Sequence, residues 1–178
     1  MISNEYYHWP AQLIVQDIFY HNHQTLKKHL TEIENLIHQV SIKSGADDIS
    51  LQTVDAIFSS LTQQLKSHLI KENMVVQTFV RRYTKALLKD KKLSKSSFNS
   101  ACPLINCMYN EHKTENNLLE QFIDLVDLCA SNREEDSKLK QLSDALLEFK
   151  KIWDETLLLE NDVLFPKIVD MEAGLHGL

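Results

Sequence analysis

Three histidines and several acidic residues stand where apolar residues are due. The second long segment of the chain runs Leu61, Leu65, His68, Glu72, and the third runs Ile105, Met108, His112, Glu115, Leu119. The fourth runs Phe149, Trp153, Thr156, Glu160, Val163. Counting back seven places from Leu30 on the first segment reaches His23, about 20° out of line with that stripe. His21 lies about 200° around the helix from His23 and faces elsewhere. Burying an unpaired charge costs several kcal/mol or moves its pKa until it is neutral. Imidazoles and carboxylates gathered in one core are accounted for if they share a cation, and this donor set suits iron, manganese or zinc. The His68–Glu72 spacing lets the imidazole take one ion while the carboxylate, a turn away, reaches a second. A metal-free network of buried hydrogen bonds is the alternative.

Such groups need long elements to carry them, and the composition supplies these. The 178 residues contain only three Gly and three Pro, too few for the many tight turns of a sandwich or barrel. The fold class is therefore all-α. Apolar residues recur at three- and four-residue steps in four segments. The first, about 11–44, carries Phe19, Leu26, Leu30, Ile33, Ile37 and Val40; the second carries Val54, Phe58, Leu61, Leu65, Val75 and Phe79. The third, about 101–130, carries Ile105, Met108, Leu119, Phe122, Val126 and Cys129; the fourth, about 137–166, carries Leu142, Leu146, Phe149, Trp153 and Val163. Gly45 sits where a helix C′ glycine would, and Asp47, Asp48 and Ser50 are N-cap candidates for the next helix. Residues 89–100 read as a basic, Ser-rich linker, 132–137 as a polar turn, and Pro166 as a stop or kink. Short turns after the first and third segments predict an up-down-up-down antiparallel four-helix bundle over 11–170, between an arm at 1–10 and a tail at 171–178.

Charge and cysteine usage narrow the function. A net charge of −6 and a pI near 5.7 offer no basic field for nucleic acid or an anionic membrane surface. The opening residues lack a signal-peptide pattern, and no run of about 18 apolar residues spans a bilayer. Cys102, Cys107 and Cys129 are odd in number and clustered, and read as small core residues in a reducing compartment, so the expected location is cytoplasmic. No Gly-rich phosphate loop and no Ser-His-Asp arrangement is recognisable, and no side chain is expected to act as a covalent nucleophile.

At the interrupted stripes the chain resembles the hemerythrin-like (HHE) cation-binding domains, most closely the di-iron repair-of-iron-centres (RIC) proteins. HLIKEN (68–73) is similar to the family's second-helix His-x-x-x-Glu, and MYNEH (108–112) to its third-helix M-x-x-E-H. LENDVLFP (159–166) matches its fourth-helix L-E-N-x-V-L-F-P and is the most specific of the three. HLTEI (29–33) falls where the family has a Q-L-P-E-L-like stretch seven residues past its first ligand, which supports His23 over His21. The likeness covers residues 13–168. It implies His23, His68 and His112 as nitrogen ligands and Glu72 and Glu160 as bridging carboxylates. Two departures stand out: Thr156 and Ser44 occupy places where the family has histidines. The family's N-terminal cysteine module is also missing from the sequence. By the family pattern one position keeps His23, His68, Glu72 and Glu160, the other keeps His112 and the shared carboxylates, and Glu115 is a candidate replacement ligand.

The resemblance implies iron as cofactor, di-iron or mononuclear, with another divalent metal as an option. It implies a role in nitrosative or oxidative stress and iron–sulfur cluster repair, with nitric oxide or dioxygen as small ligand and iron–sulfur proteins as partners. The competing reading is a non-enzymatic sensor or interaction module with one metal or none. Whether the chain is an enzyme stays open, as does the oligomeric state, a homodimer being one option.

Overall fold

The computed structural model describes residues 3–44, 49–89, 100–133 and 136–176. Among these residues every regular element is helical and no strand occurs, so the all-α expectation holds. Four long helical segments are present, as in a helical bundle. The first is built of α1 (Ala11–Asp17), a π-helical turn (Ile18–Asn22) and α2 (His23–Ser44). The second is α3 (Ile49–Leu88) and the third α4 (Ala101–Ser131). The fourth combines α5 (Ser137–Leu159), a second π-helical turn (Glu160–Leu164) and α6 (Phe165–His176). A single 3-10 turn, Asn4–His8, precedes them; the Ser3 hydroxyl accepts from the Glu5 N–H at 3.3 Å and caps its start.

The chain forms two compact units, one of residues 1–23, 68–112 and 155–178, the other of residues 24–67 and 113–154. In the first, Ile14, Ile18, Val76, Val80, Met108 and Phe165 belong to one buried cluster. Glu172 of α6, 6 % exposed, accepts from the Ala101 N–H (3.0 Å) and the Ser100 hydroxyl (3.2 Å), capping α4 from another helix. In the second unit Phe58 and Phe122 meet at 5.6 Å between ring centroids. There the Asp136 carboxylate accepts from the Lys138 N–H at 3.0 Å and starts α5.

Several stripe residues differ from the expected ones. Phe19 is only half-buried, and Ile18 takes the core position. The π-helical turn explains this: it holds an extra residue, so the inward steps run Ile14, Ile18, His23, Leu26. Past Glu72 the core residues are Val76 and Val80 rather than Val75 and Phe79, which are half-buried. A step of three from Glu72 falls about 60° short of a full turn, a step of four about 40° beyond it, and the face follows the longer step. Cys129 is buried as expected, whereas Cys102 and Cys107 are exposed, since both lie off the Ile105–Met108 face of α4.

Pro166 neither ends nor breaks the fourth segment, which continues to His176. In a π-helical turn the N–H of residue i donates to the carbonyl of i−5, as Phe165 does to Glu160. Pro166 has no N–H for the next such bond, and the Asn161 carbonyl accepts instead from the Tyr109 hydroxyl at 3.1 Å. Gly45, Asp47, Asp48 and the 90–99 part of the linker lie outside the described residues, and so do the side chains of Ser44 and Ser50.

Candidate metal centre

All five expected site residues fall in the first unit and are almost fully buried: His23 1 %, His68 1 %, Glu72 3 %, His112 2 % and Glu160 1 % exposed. The two π-helical turns deliver two of them. His23 follows the first turn and donates its backbone N–H to the Ile18 carbonyl, and Glu160 opens the second. Wide turns of this kind recur at functional sites because they aim a side chain that regular pitch would point elsewhere.

The side chains form two groups that share Glu160: His68 with His112 and Glu160, and His23 with Glu72 and Glu160, each with ligand atoms within 4.8 Å of one another. The sequence expectation joined His23 with His68; Glu72 Oε2 lies 3.3 Å from His23 Nε2 and 3.7 Å from His68 Nε2, and the His68 and His112 rings are 4.8 Å apart. Phe165 stacks on His112 at 5.8 Å and 13°.

The tautomers of the two facing histidines follow from their outer hydrogen bonds. His68 Nδ1 lies 3.0 Å from the Glu111 carboxylate, and Glu111 is also ion-paired with Lys71. A carboxylate only accepts, so His68 Nδ1 carries the proton. His112 Nδ1 lies 2.9 Å from Asn161 Oδ1 and donates to it. In the neutral rings both Nε2 atoms therefore hold lone pairs, yet they face each other at 3.1 Å. Glu160 Oε2, 3.3 Å from His112 Nε2, is a further acceptor in the same place and lacks a well-formed hydrogen bond.

The second group is equally short of donors. The proton on His23 Nε2 serves Glu160 Oε1 at 3.2 Å. Glu72 Oε2 is 3.3 Å away from the same nitrogen without bonding geometry, and both Glu72 oxygens and His23 Nδ1 are buried without a hydrogen bond. The orphaned Glu72 oxygens among these need a proton or a cation. The donor set thus fits divalent metal, with mixed nitrogen and oxygen ligands at both positions.

Without metal, protons must do this work, and the acidities reflect it. Burial disfavours the His23 cation, but Glu160 and Glu72 outweigh burial and raise its pKa to about 10. Burial and the neighbouring Glu160 charge push Glu72 up to about 7. Burial likewise works against the Glu160 anion, but His112 and His23 prevail and hold it at about 2. His68 is pushed below the ordinary histidine value by burial, although Glu160 opposes this. His112 is raised because Glu160 overcomes burial.

Thr156, where a histidine was expected from the resemblance, is fully buried, and its hydroxyl accepts from the Asn22 amide at 3.1 Å. Glu115 is buried, 3 % exposed, and belongs to the second unit. Glu111, Asn161 and Asn22 were not foreseen. The first two stand beside His112 and Glu160 in MYNEH and LENDVLFP, and that adjacency was the one available signal.

The family model for the hemerythrin HHE cation-binding domain matches residues 15–168. No curated protein matches the sequence. No helix among the described residues is long and apolar enough to cross a membrane.

Proposed function

Because the chain belongs to the hemerythrin HHE cation-binding domain family, we propose that it binds iron, up to two ions, on His23, His68, Glu72, His112 and Glu160. We propose further that it serves in nitrosative or oxidative stress as a cytoplasmic protein of iron–sulfur cluster repair, closest in kind to the RIC proteins. One observation carries the metal reading: His68 Nε2 and His112 Nε2 face each other at 3.1 Å with both protons engaged on the far side of the rings. The LENDVLFP motif supports the closer RIC assignment.

In this reading His68, His112 and Glu160 hold one ion and His23, Glu72 and Glu160 the other. Glu111 and Asn161 orient the two facing imidazoles. Phe165 and the apolar cluster around it keep bulk water from the ligands. Bound iron would supply a reversible change of oxidation state and an open position for a small diatomic molecule such as nitric oxide or dioxygen.

Anaerobic purification and iron reconstitution, followed by metal analysis, tests the reading. Two irons per chain are expected, and their absence after reconstitution removes it. Loaded protein is then expected to restore the visible absorption of an iron–sulfur protein damaged by nitric oxide; no restoration removes the repair role. Thr156 in place of an imidazole, already engaged by Asn22, favours a second reading, a sensor or interaction module with a single ion. One iron per chain and no effect on the damaged cluster would establish that alternative.

A further inference from the structure

The two groups of ligands differ in how firmly their imidazoles are aimed. We infer that Glu111 and Asn161 are positioning residues that make the His68–His112–Glu160 position fill first, the His23–Glu72–Glu160 position taking the second ion more weakly. The inference rests on the metal reading above and goes beyond it by assigning an order of loading and the side chains that impose it.

Three observations support it. First, His68 and His112 each have the ring nitrogen remote from the group tied to an acceptor, at 3.0 and 2.9 Å, while His23 Nδ1 is buried without a hydrogen bond. A histidine whose outer nitrogen is fixed keeps both its tautomer and its ring angle, so an entering ion meets ligands already in place. His23 has no such anchor. Among the described residues its ring nitrogens are hydrogen-bonded only at Nε2, the nitrogen whose contact with Glu160 has to be given up when the ion binds there.

Second, the donor sets differ. The first group offers two imidazoles and one carboxylate, the second one imidazole and two carboxylates. Borderline divalent ions such as zinc(II) and iron(II) favour the nitrogen-rich set, and oxygen-rich sets suit harder ions. Third, Glu160 belongs to both groups. An ion already bound to it withdraws charge from that carboxylate and repels a second dication, so occupancy of the first position weakens the other.

The outer anchors are themselves braced. Glu111 is ion-paired with Lys71, which holds its carboxylate beside His68. Asn161 sits in the π-helical turn, and the Tyr109 hydroxyl fixes its backbone carbonyl at 3.1 Å. The Glu111 carboxylate is thus held by its own ion pair, and the backbone that carries Asn161 by its hydrogen bond.

Calorimetric titration of the metal-free full chain with zinc(II), a redox-inert probe, tests the order. Two resolved steps are expected, the first the tighter. Glu111→Ala and Asn161→Ala are each expected to weaken the first step by about 10- to 100-fold. Glu111→Gln, which keeps an acceptor, restores most of the loss. Glu72→Gln removes the second step and leaves the first. Nitrogen-15 spectra of the metal-free chain give an independent readout: His68 carries its proton on Nδ1, and in Glu111→Ala the proton moves to Nε2. Glu111 is part-exposed, so that variant is expected to fold even if Asn161→Ala does not. Two equal steps in the wild type, or a first step unmoved by Glu111→Ala, would overturn the order while leaving the metal reading intact. No zinc uptake at all would overturn both.

Discussion

Replacing Glu160 by Gln separates the work of its charge from that of its shape. The amide fills the same space, so no cavity opens, but the carboxylate common to both ligand groups is gone. In the metal-free protein, removing one partner of a buried ion pair costs about 3–5 kcal/mol. The lower end applies here, because Glu72 Oε2 remains 3.3 Å from His23. For a chain of 178 residues each kcal/mol corresponds to roughly 2–4 °C in melting temperature, so a fall of roughly 6–12 °C is expected. The metal response is the sharper readout. An ion at about 100 times its Kd stabilises the wild type by about 2.7 kcal/mol, or roughly 5–11 °C. Since both groups need Glu160, the variant should show no metal-dependent rise. The assay is thermal unfolding with chelator and with zinc(II) or, under anaerobic conditions, iron(II). A full metal-dependent rise in Glu160→Gln would refute the claim that Glu160 is shared, and with it the two-group geometry.

Other outcomes follow from the same contacts. Thr156→His should raise the iron content of the reconstituted protein, at a packing cost of about 1–3 kcal/mol because position 156 is fully buried; unchanged iron content would show that Thr156 does not occupy a ligand position. Metal uptake should release protons and weaken as pH falls. His23, with a pKa raised to about 10, is protonated at neutral pH, and the ion must displace that proton; Glu72, near 7, gives up a fraction more. Calorimetry in buffers of different ionisation enthalpy reads the release, and an affinity constant between about pH 6 and pH 8 would contradict it. Tyr109→Phe should cost about 1–2 kcal/mol by leaving the Asn161 carbonyl without its donor, and Pro166→Ala should recover part of the loss by supplying an N–H. A double-mutant cycle showing no coupling between the two positions would exclude that account.

Much of this was legible in the sequence, for reasons that can be named. His68, Glu72 and His112 fall on uninterrupted α-helical stripes, and Glu160 is reached from Trp153 and Thr156 along α5 before its π-helical turn widens the pitch, so counting in threes and fours found all four inside. His23 was reached by counting back from Leu30, and the count succeeded because the π-helical turn lies just ahead of that residue. Beyond the turn the same count failed, and it chose Phe19 where Ile18 is buried. The pairing of His68 with His112 was not legible, since periodicity says that a side chain points inward but not which inward neighbour it meets. Glu111 and Asn161 were missed for a related reason. Each sits about 100° around its helix from the ligand beside it, a direction that reads as flank rather than core.

The two wide turns also loosen a constraint that binds ordinary helices. On a regular helix every inward side chain is locked in phase with every other, so a ligand can be re-aimed only by disturbing the packing on both sides. An added residue acts as a phase shift. The segment before Ile18 can settle on its own packing while the segment from His23 onward keeps a different angular setting, and the same holds on either side of Glu160. Deleting one residue from either turn would therefore act like a gear slipped by one tooth: the helix would survive, and the coordinating groups would no longer point at one another.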